Sequence, residues 1–539
     1  MNESPHIDLN KQSSSISLVS ENDDTVDNSA YKRGQQSKWS RTRRGDKRDD
    51  SSKRQRKTLE RDYKNEEYVP RLDENGNPLP KSERKPKKKV ACMIGYCGTG
   101  YNGMQIQNNP DVKTIEGDLF QAFSKAGAIS PENADDLKKN GFMRAARTDK
   151  GVHAAGNVIS CKLIIEDEDI KEKINRELPE QIRIWGIERT NKSFDCRKMC
   201  SSRIYEYLLP TYSLLPPKPG SVLSNLMNSK NKANPGIIRV DKEGNDWWQK
   251  TKLAIEESGI TTDQLIRVEL LLTKSSSSLG ESREPLKLYD ENGTITESGK
   301  LIKSVKAIEN QRRRSYKVSQ ERLNLFRQAM DQYEGSHNFH NFTLGKHYKD
   351  PSARRYIIKS SVSDPFVIDG TEWVSIKIHG QSFMLHQIRK MIAMAVLVIR
   401  TGCPLDRINN CYGPTKINIP KAPALGLLLE NPVYDGYNSM LEKFGYNKIN
   451  FLKYEKEMDE FKMKFIYDKI YGEEIKENVF YGFFGFIDTF KGKEDSDEGK
   501  HIFDFLGAVF NSGADEKKDY SNDKDHNDLI SEESELQKI

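Results

Sequence analysis

The chain has 539 residues, 31% of them charged and 35% hydrophobic, with a net charge of +6. Its mean hydropathy of −0.78 is too polar for a membrane protein. The longest apolar run, MIAMAVLVI (Met391 to Ile399), is about half a membrane span and reads as a core helix ending at Gly402. Seven scattered cysteines, an odd number, point to a reducing compartment. Cys196 and Cys200 lie four apart with no second close pair or nearby histidine, so they read as buried thiols rather than a zinc set.

Residues 1–88 are rich in Ser, Asn and charge, with no periodic apolar pattern, and are expected to form a disordered arm. The opening MNESPHIDLN holds acids and no apolar core, so neither a signal nor a transit peptide is expected there. Residues 31–90 carry 21 Lys/Arg against 10 Asp/Glu, which suggests a polyanion partner. The clusters KRQRK (Lys53 to Lys57) and RKPKKK (Arg84 to Lys89) are of the kind nuclear import machinery reads. A nuclear protein is therefore expected, with a cytoplasmic or mitochondrial pool left open.

Order begins at KVACMIGYCG, a first strand. TIEGDLFQAFSKAG follows as a helix capped by Thr114, with Ile115, Leu119, Phe120 and Phe123 on one face. Strands at GFMRAARTD and VISCKLII, a helix at DEDIKEKINREL and a strand at IRIWGIERT complete a β-α-β-β-α-β unit over residues 89–214, with RIYEYLLP as one more strand. Residues 215–316 break the pattern with low-complexity stretches around a helical island, DWWQKTKLAIEES, and read as an insertion. Residues 317–436 repeat helix, strand, strand and helix. The expected class is α+β: two ferredoxin-like (split βαβ) lobes in one mixed, largely antiparallel sheet, with a basic cleft between them. A helical extension over 437–512 and an acidic disordered tail over 513–539 follow; residues 491–539 hold 7 Lys/Arg against 14 Asp/Glu.

GTGYNG (Gly98 to Gly103) spells a dinucleotide fingerprint after a strand, but Asn109-Pro110 blocks the helix that such a site needs. Its glycines are expected to make a flexible loop at the edge of the groove. The chemistry points instead to RAARTDKGVHAAGNV. A lone acid, Asp149, sits there without a second carboxylate, a Ser-His or Cys-His pair, or a metal set. Gly151, Ala154, Ala155 and Gly156 leave room for a chain to approach the backbone, and Arg144, Arg147 and Lys150 offer phosphate or base contacts.

Six motifs occur in order: GYCGTGYNGMQ, ARTDKGVHAAGNV, RIYEY, YEGSHNFHNF, GQSFMLHQIRKM and APALGLLL. Together they resemble the tRNA pseudouridine synthase A family in its eukaryotic, multisite branch, over about residues 90–210 and 317–435. Cys97 and Met104 stand where the family usually has Asp and Trp, and Ala146 where it has Gly.

The resemblance implies an isomerase that detaches uracil, rotates it and rejoins it through carbon 5, with no cofactor needed for the chemistry, though a structural metal stays open. It implies Asp149 as nucleophile or base, Tyr205 stacked on the flipped uracil, and Arg389 paired with Asp149. Arg147 would fill the vacated stack. Arg144, Lys150, His153, His386 and Lys390 are expected to bind RNA. The implied partner is tRNA, modified at several positions with the anticodon stem-loop region among them, alongside small nuclear or messenger RNA. A monomer is expected, because the extensions would cover the surface that bacterial relatives use to pair. The rival expectation is an RNA-binding protein that keeps the scaffold without the chemistry.

Overall fold

The computed structural model describes residues 85–489, apart from 108, 110, 131–132, 135–136, 276–287, 291–292 and 442–444. The basic arm up to residue 84, Pro110 and the acidic tail lie outside the described residues, as does the end of the expected C-terminal extension. Among the described residues, no helix is long and apolar enough to cross a membrane.

The strands are β1 (Lys88–Tyr96), β2 (Met143–Arg144), β3 (His153–Leu163), β4 (Ile182–Arg189), β5 (Ser202–Pro210), β6 (Gly335–Asn338), β7 (Arg354–Val362), β8 (Phe366–Ile368), β9 (Thr371–Gly380) and β10 (Leu427–Val433). They make one mixed sheet in the order β4-β1-β3-β10-β5-β9-β7-β6, with β2 on β3 and β8 on β9. Every described pairing is antiparallel except β3 with β10. The first half contains the order β4-β1-β3-β2 and the second β10-β5-β9-β7, which is one connectivity used twice. Lys88 and Lys89, the end of the second basic cluster, are built into β1, and Lys89 Nζ donates to Gly141 O at 3.2 Å. GFMRAARTD yields only the two residues of β2; from Ala145 the chain leaves the ladder for the loop that carries Asp149.

Helices α1 (Ile115–Lys125), α2 (Ile170–Glu177), α7 (Gln320–Asp331) and α8 (Gln387–Thr401) accompany the sheet. Thr114 caps α1 by accepting from the Gly117 N–H. In α8, Met391 to Ile399 are entirely buried, and Gly402 ends the helix in a left-handed turn. Each Met, Ile, Val and Leu of that run contributes roughly 1.5–3 kcal/mol by leaving water, so this helix anchors the second half.

The insertion is helical where described: α3 (Val222–Ala233), α4 (Lys242–Glu257), α5 (Thr262–Ser275) and α6 (Glu297–Arg314). Residues of α4 to α6 and their linker form a core of their own from Ile255, Ile260, Leu265, Val268, Ile302 and Val305. Buried Arg322 of α7 ties the head of α4 to the main body through Asp241 and Glu243, and donates to Leu214 O at 2.7 Å.

After β10 come α9 (Asp435–Leu441), α10 (Glu455–Phe461), a π-helical stretch over Lys462–Tyr467, α11 (Asp468–Glu477) and α12 (Val479–Thr489). This extension reaches sheet residues whose side chains alternate with those aimed at the site. Tyr467 donates to Glu206 at 2.7 Å, Lys462 pairs with Glu430 at 2.9 Å, and Phe461 meets Trp185 edge-on at 5.3 Å.

Candidate active site

Strand register assembles the site. Leu429 of β10 pairs with Ala154 of β3 on one side and Tyr205 of β5 on the other. Tyr205 therefore lies two strand spacings, about 9–10 Å, from the start of β3, and Asp149 sits in the loop just before that start. Helix α8 brings the remaining groups from the second half.

The Asp149 loop is held from several directions. Ala145 N donates to Val158 O at 2.8 Å, and Val152 N to Asp149 O at 3.1 Å. Thr148 bonds the buried Tyr96 hydroxyl at 2.9 Å, and Asn157 holds Ala146 O at 3.1 Å. The GTGYNG segment closes over it: Met104 N donates to Thr148 O at 3.1 Å and Gly151 N to Tyr101 O at 3.4 Å. These glycines are thus a pinned clamp rather than the flexible loop expected. No helix begins at Gly103; the next starts at Ile115.

Gly103 has φ +91°, and a Cβ there would stand 2.9 Å from Thr148 O. Gly103→Ala is expected to cost about 1–3 kcal/mol in backbone strain. By displacing Asp149 it should also slow the reaction on the order of 10²-fold. Thermal melting and single-turnover rates check the two parts separately.

Asp149 Oδ2 lies 2.9 Å from Nδ1 of His386, with the two side chains 31% and 16% exposed. Burial pushes this carboxyl up. The His386 contact, then the charges of Arg389 and Lys421, outweigh burial and hold it below the ordinary aspartate value. Arg389 donates from Nε to Ala422 O at 2.6 Å, and Ala422 N returns a bond to Arg389 O at 3.1 Å, which fixes the Lys421 loop on the first turn of α8. Tyr205 is buried against Phe383, ring edge to face at 5.1 Å. Burial, eased by Arg203 and reinforced by Asp149, raises its hydroxyl to about 12.

Arg147 and Lys150 flank Asp149 with exposed side chains. Three residues expected to touch RNA are engaged inside the protein instead. Arg144 forms an ion pair with the fully buried Glu116, whose other oxygen accepts from Ile106 N at 2.8 Å. His153 is fully buried, its Nδ1 accepts from Gly98 N at 3.1 Å, and burial lowers it to about 4. Lys390 is 3% exposed and donates to Asn341 O and Thr343 O at 3.3 and 3.4 Å. Burial, aided by Lys416 and Lys421, lowers it to about 7. Sequence reasoning put His386 with the RNA contacts and passed over Lys421; the lysine just before APALGLLL was the available signal. Among the described residues, no group of three His, Cys, Asp or Glu side chains could hold a metal ion.

The sequence of this chain has relatives among known proteins. Residues 329–435 match the family described as tRNA pseudouridine synthase. The chain is 63% identical to tRNA pseudouridine synthase 1 of Candida albicans, over 82% of this chain and 73% of that one. It therefore belongs to the tRNA pseudouridine synthase family and is an isomerase. It is 53% identical to tRNA pseudouridine synthase 1 of Saccharomyces cerevisiae, over 90% of this chain and 89% of the other. To the same yeast's tRNA pseudouridine(27/28) synthase it is 43% identical, over 66% of this chain and 87% of that one.

Proposed function

We propose that this enzyme converts uridine to pseudouridine at several positions of tRNA, the anticodon stem-loop region among them, with small nuclear or messenger RNA as further substrates. The observation that carries the reading is Asp149, held as a carboxylate near Tyr205, against His386 and within the field of Arg389 and Lys421, in a loop fixed on several sides. The repeated strand order supports two ferredoxin-like lobes with the RNA lying in a basic cleft between them.

Asp149 acts on the ribose as nucleophile or base. The bond from C1′ to N1 breaks and its electron pair leaves with the uracil. The base turns, C5 joins C1′, the C5 proton departs, and N1 acquires one. Nothing is gained or lost overall, so the reaction draws on no cofactor. A stem uridine must first leave its stack at a cost of a few kcal/mol; Arg147 fills the gap and Tyr205 stacks on the extruded base. Exposed Lys and Arg bind phosphates, and the extension leaves the protein a monomer. Nuclear import would rest chiefly on Lys53 to Lys57.

The test is carbodiimide-primer-extension mapping of unmodified tRNA transcripts, with binding measured at two salt concentrations. Stops at several uridines and an affinity that falls steeply with salt are expected. Transcripts that bind but never acquire a stop would favour the binding-only reading.

A further inference from the structure

We infer that His386 is the positioning residue of Asp149: the left-handed backbone at the head of α8 aims its ring out of the helix to hold the carboxylate. The inference rests on the role given to Asp149 above.

His386 has φ 60° and ψ 6°, one of three non-glycine residues with positive φ among the described residues. That conformation costs about 1–2 kcal/mol in a residue with a Cβ. It persists because both flanks are locked. Thr343 Oγ1 donates to Leu385 O at 2.9 Å, Met384 N to Gln387 Oε1 at 2.9 Å, and Lys390 N to His386 O at 3.1 Å. A side chain at the N-cap position ordinarily turns back onto its own helix. His386 makes no such bond, and its ring reaches the Asp149 loop instead. The strain thus carries an imidazole to a contact 237 positions away in the chain, at 2.9 Å and largely screened from water.

The charged groups acting on Asp149 are His386 and Arg389 from α8 and Lys421 from the loop docked on it, with Tyr205 opposite on β5. Of the groups that lower the Asp149 carboxyl, His386 has the largest effect, and its Nδ1 lies 2.9 Å from the carboxylate. Arg389 has its Nε committed to Ala422 O. The sign follows: because the His386 contact lowers the Asp149 carboxyl, removing it moves the carboxyl up. The acid limb of the rate profile should then shift to higher pH.

The experiment compares wild type, His386→Asn and His386→Gly by single-turnover pseudouridine formation across roughly pH 3.5 to 8.5, a range that takes in the ordinary aspartate carboxyl, with tRNA affinity by filter binding. Both replacements accept the left-handed backbone, so folding is preserved and the ring alone is lost. The expected result is a fall on the order of 10²-fold at neutral pH, affinity near wild type, and an acid limb displaced upward. Weakened binding with an unchanged pH profile would make His386 an RNA contact and overturn the inference. Wild-type rates from His386→Gly would overturn it too, since only the backbone would matter. An inactive wild type would overturn this inference together with the proposed function, whereas active variants indistinguishable from wild type sink this inference alone.

Discussion

Asp149→Asn is expected to leave tRNA affinity near wild type and to lower pseudouridine formation by about 10⁴-fold or more, the scale seen when a residue central to covalent catalysis is removed. The amide keeps the shape of the carboxylate, so the loop bonds from Thr148, Ala146 and Val152 should survive. It can neither bond to the sugar carbon nor take a proton from the ribose, so the loss holds for either chemical role. Removing the acid also leaves His386, Arg389 and Lys421 less neutralised, which favours a polyanion and argues against weaker binding. Single-turnover rates on a mapped transcript, with binding measured in parallel, decide the matter. A variant retaining a tenth of the wild-type rate would refute the assignment.

Arg400→Met is expected to destabilise the protein by about 3–5 kcal/mol, because it strands a buried carboxylate. Arg400 stands near the end of α8, 5% exposed, with Nη2 at 2.7 and 2.6 Å from the two oxygens of Asp488 in α12. Its Nη1 donates to Leu215 O at 2.6 Å, and its guanidinium lies 5.0 Å from the centre of the Phe484 ring. The pair joins the C-terminal extension to the helix whose other end carries His386 and Arg389. The double variant Arg400→Met, Asp488→Leu should recover at least half of the loss, since no charge is then left unpaired. Urea denaturation reads both. In native conditions the rate should stay close to wild type, because the substitution lies more than two helical turns from Arg389. A stability change below about 1 kcal/mol would place the pair among the weak surface bridges.

The candidate site was legible mainly through the ordered motifs. The residues alone marked Asp149, a lone acid between basic neighbours; Tyr205 and Arg389 came from the resemblance, since by themselves a strand tyrosine reads as core and a helix arginine as a surface residue. What stayed hidden depended on partners remote in sequence. Arg144 is engaged by Glu116, which lies on another element. His153 was placed with the RNA contacts because it sits in the ARTDKGVHAAGNV motif, yet β3 runs between β1 and β10 and the Glu430–Lys462 side is covered. Lys390 had a readable warning, since MIAMAVLVI follows it without a polar stripe and a lysine there has no route to solvent. The left-handed backbone at His386 left no mark in composition, because histidine, although enriched among the non-glycine residues that adopt positive φ, takes it here only where bonds to Leu385 O and from Met384 N lock both flanks.

The placement of β10 also fixes when an active molecule can exist. Among the described residues it is the last strand in the chain, yet it lies between β3 and β5 and is the strand that joins the two halves of the sheet. At a synthesis rate of about 5–20 residues per second, some 15–55 seconds separate the emergence of His153 from that of its partner Leu428. By the end of that interval, once β9 has been made, the nascent chain carries the strands of both halves without the one that joins them. Newly made protein is therefore most exposed to edge-to-edge association before its last central strand arrives, and the two halves of the sheet join only once that strand has been made.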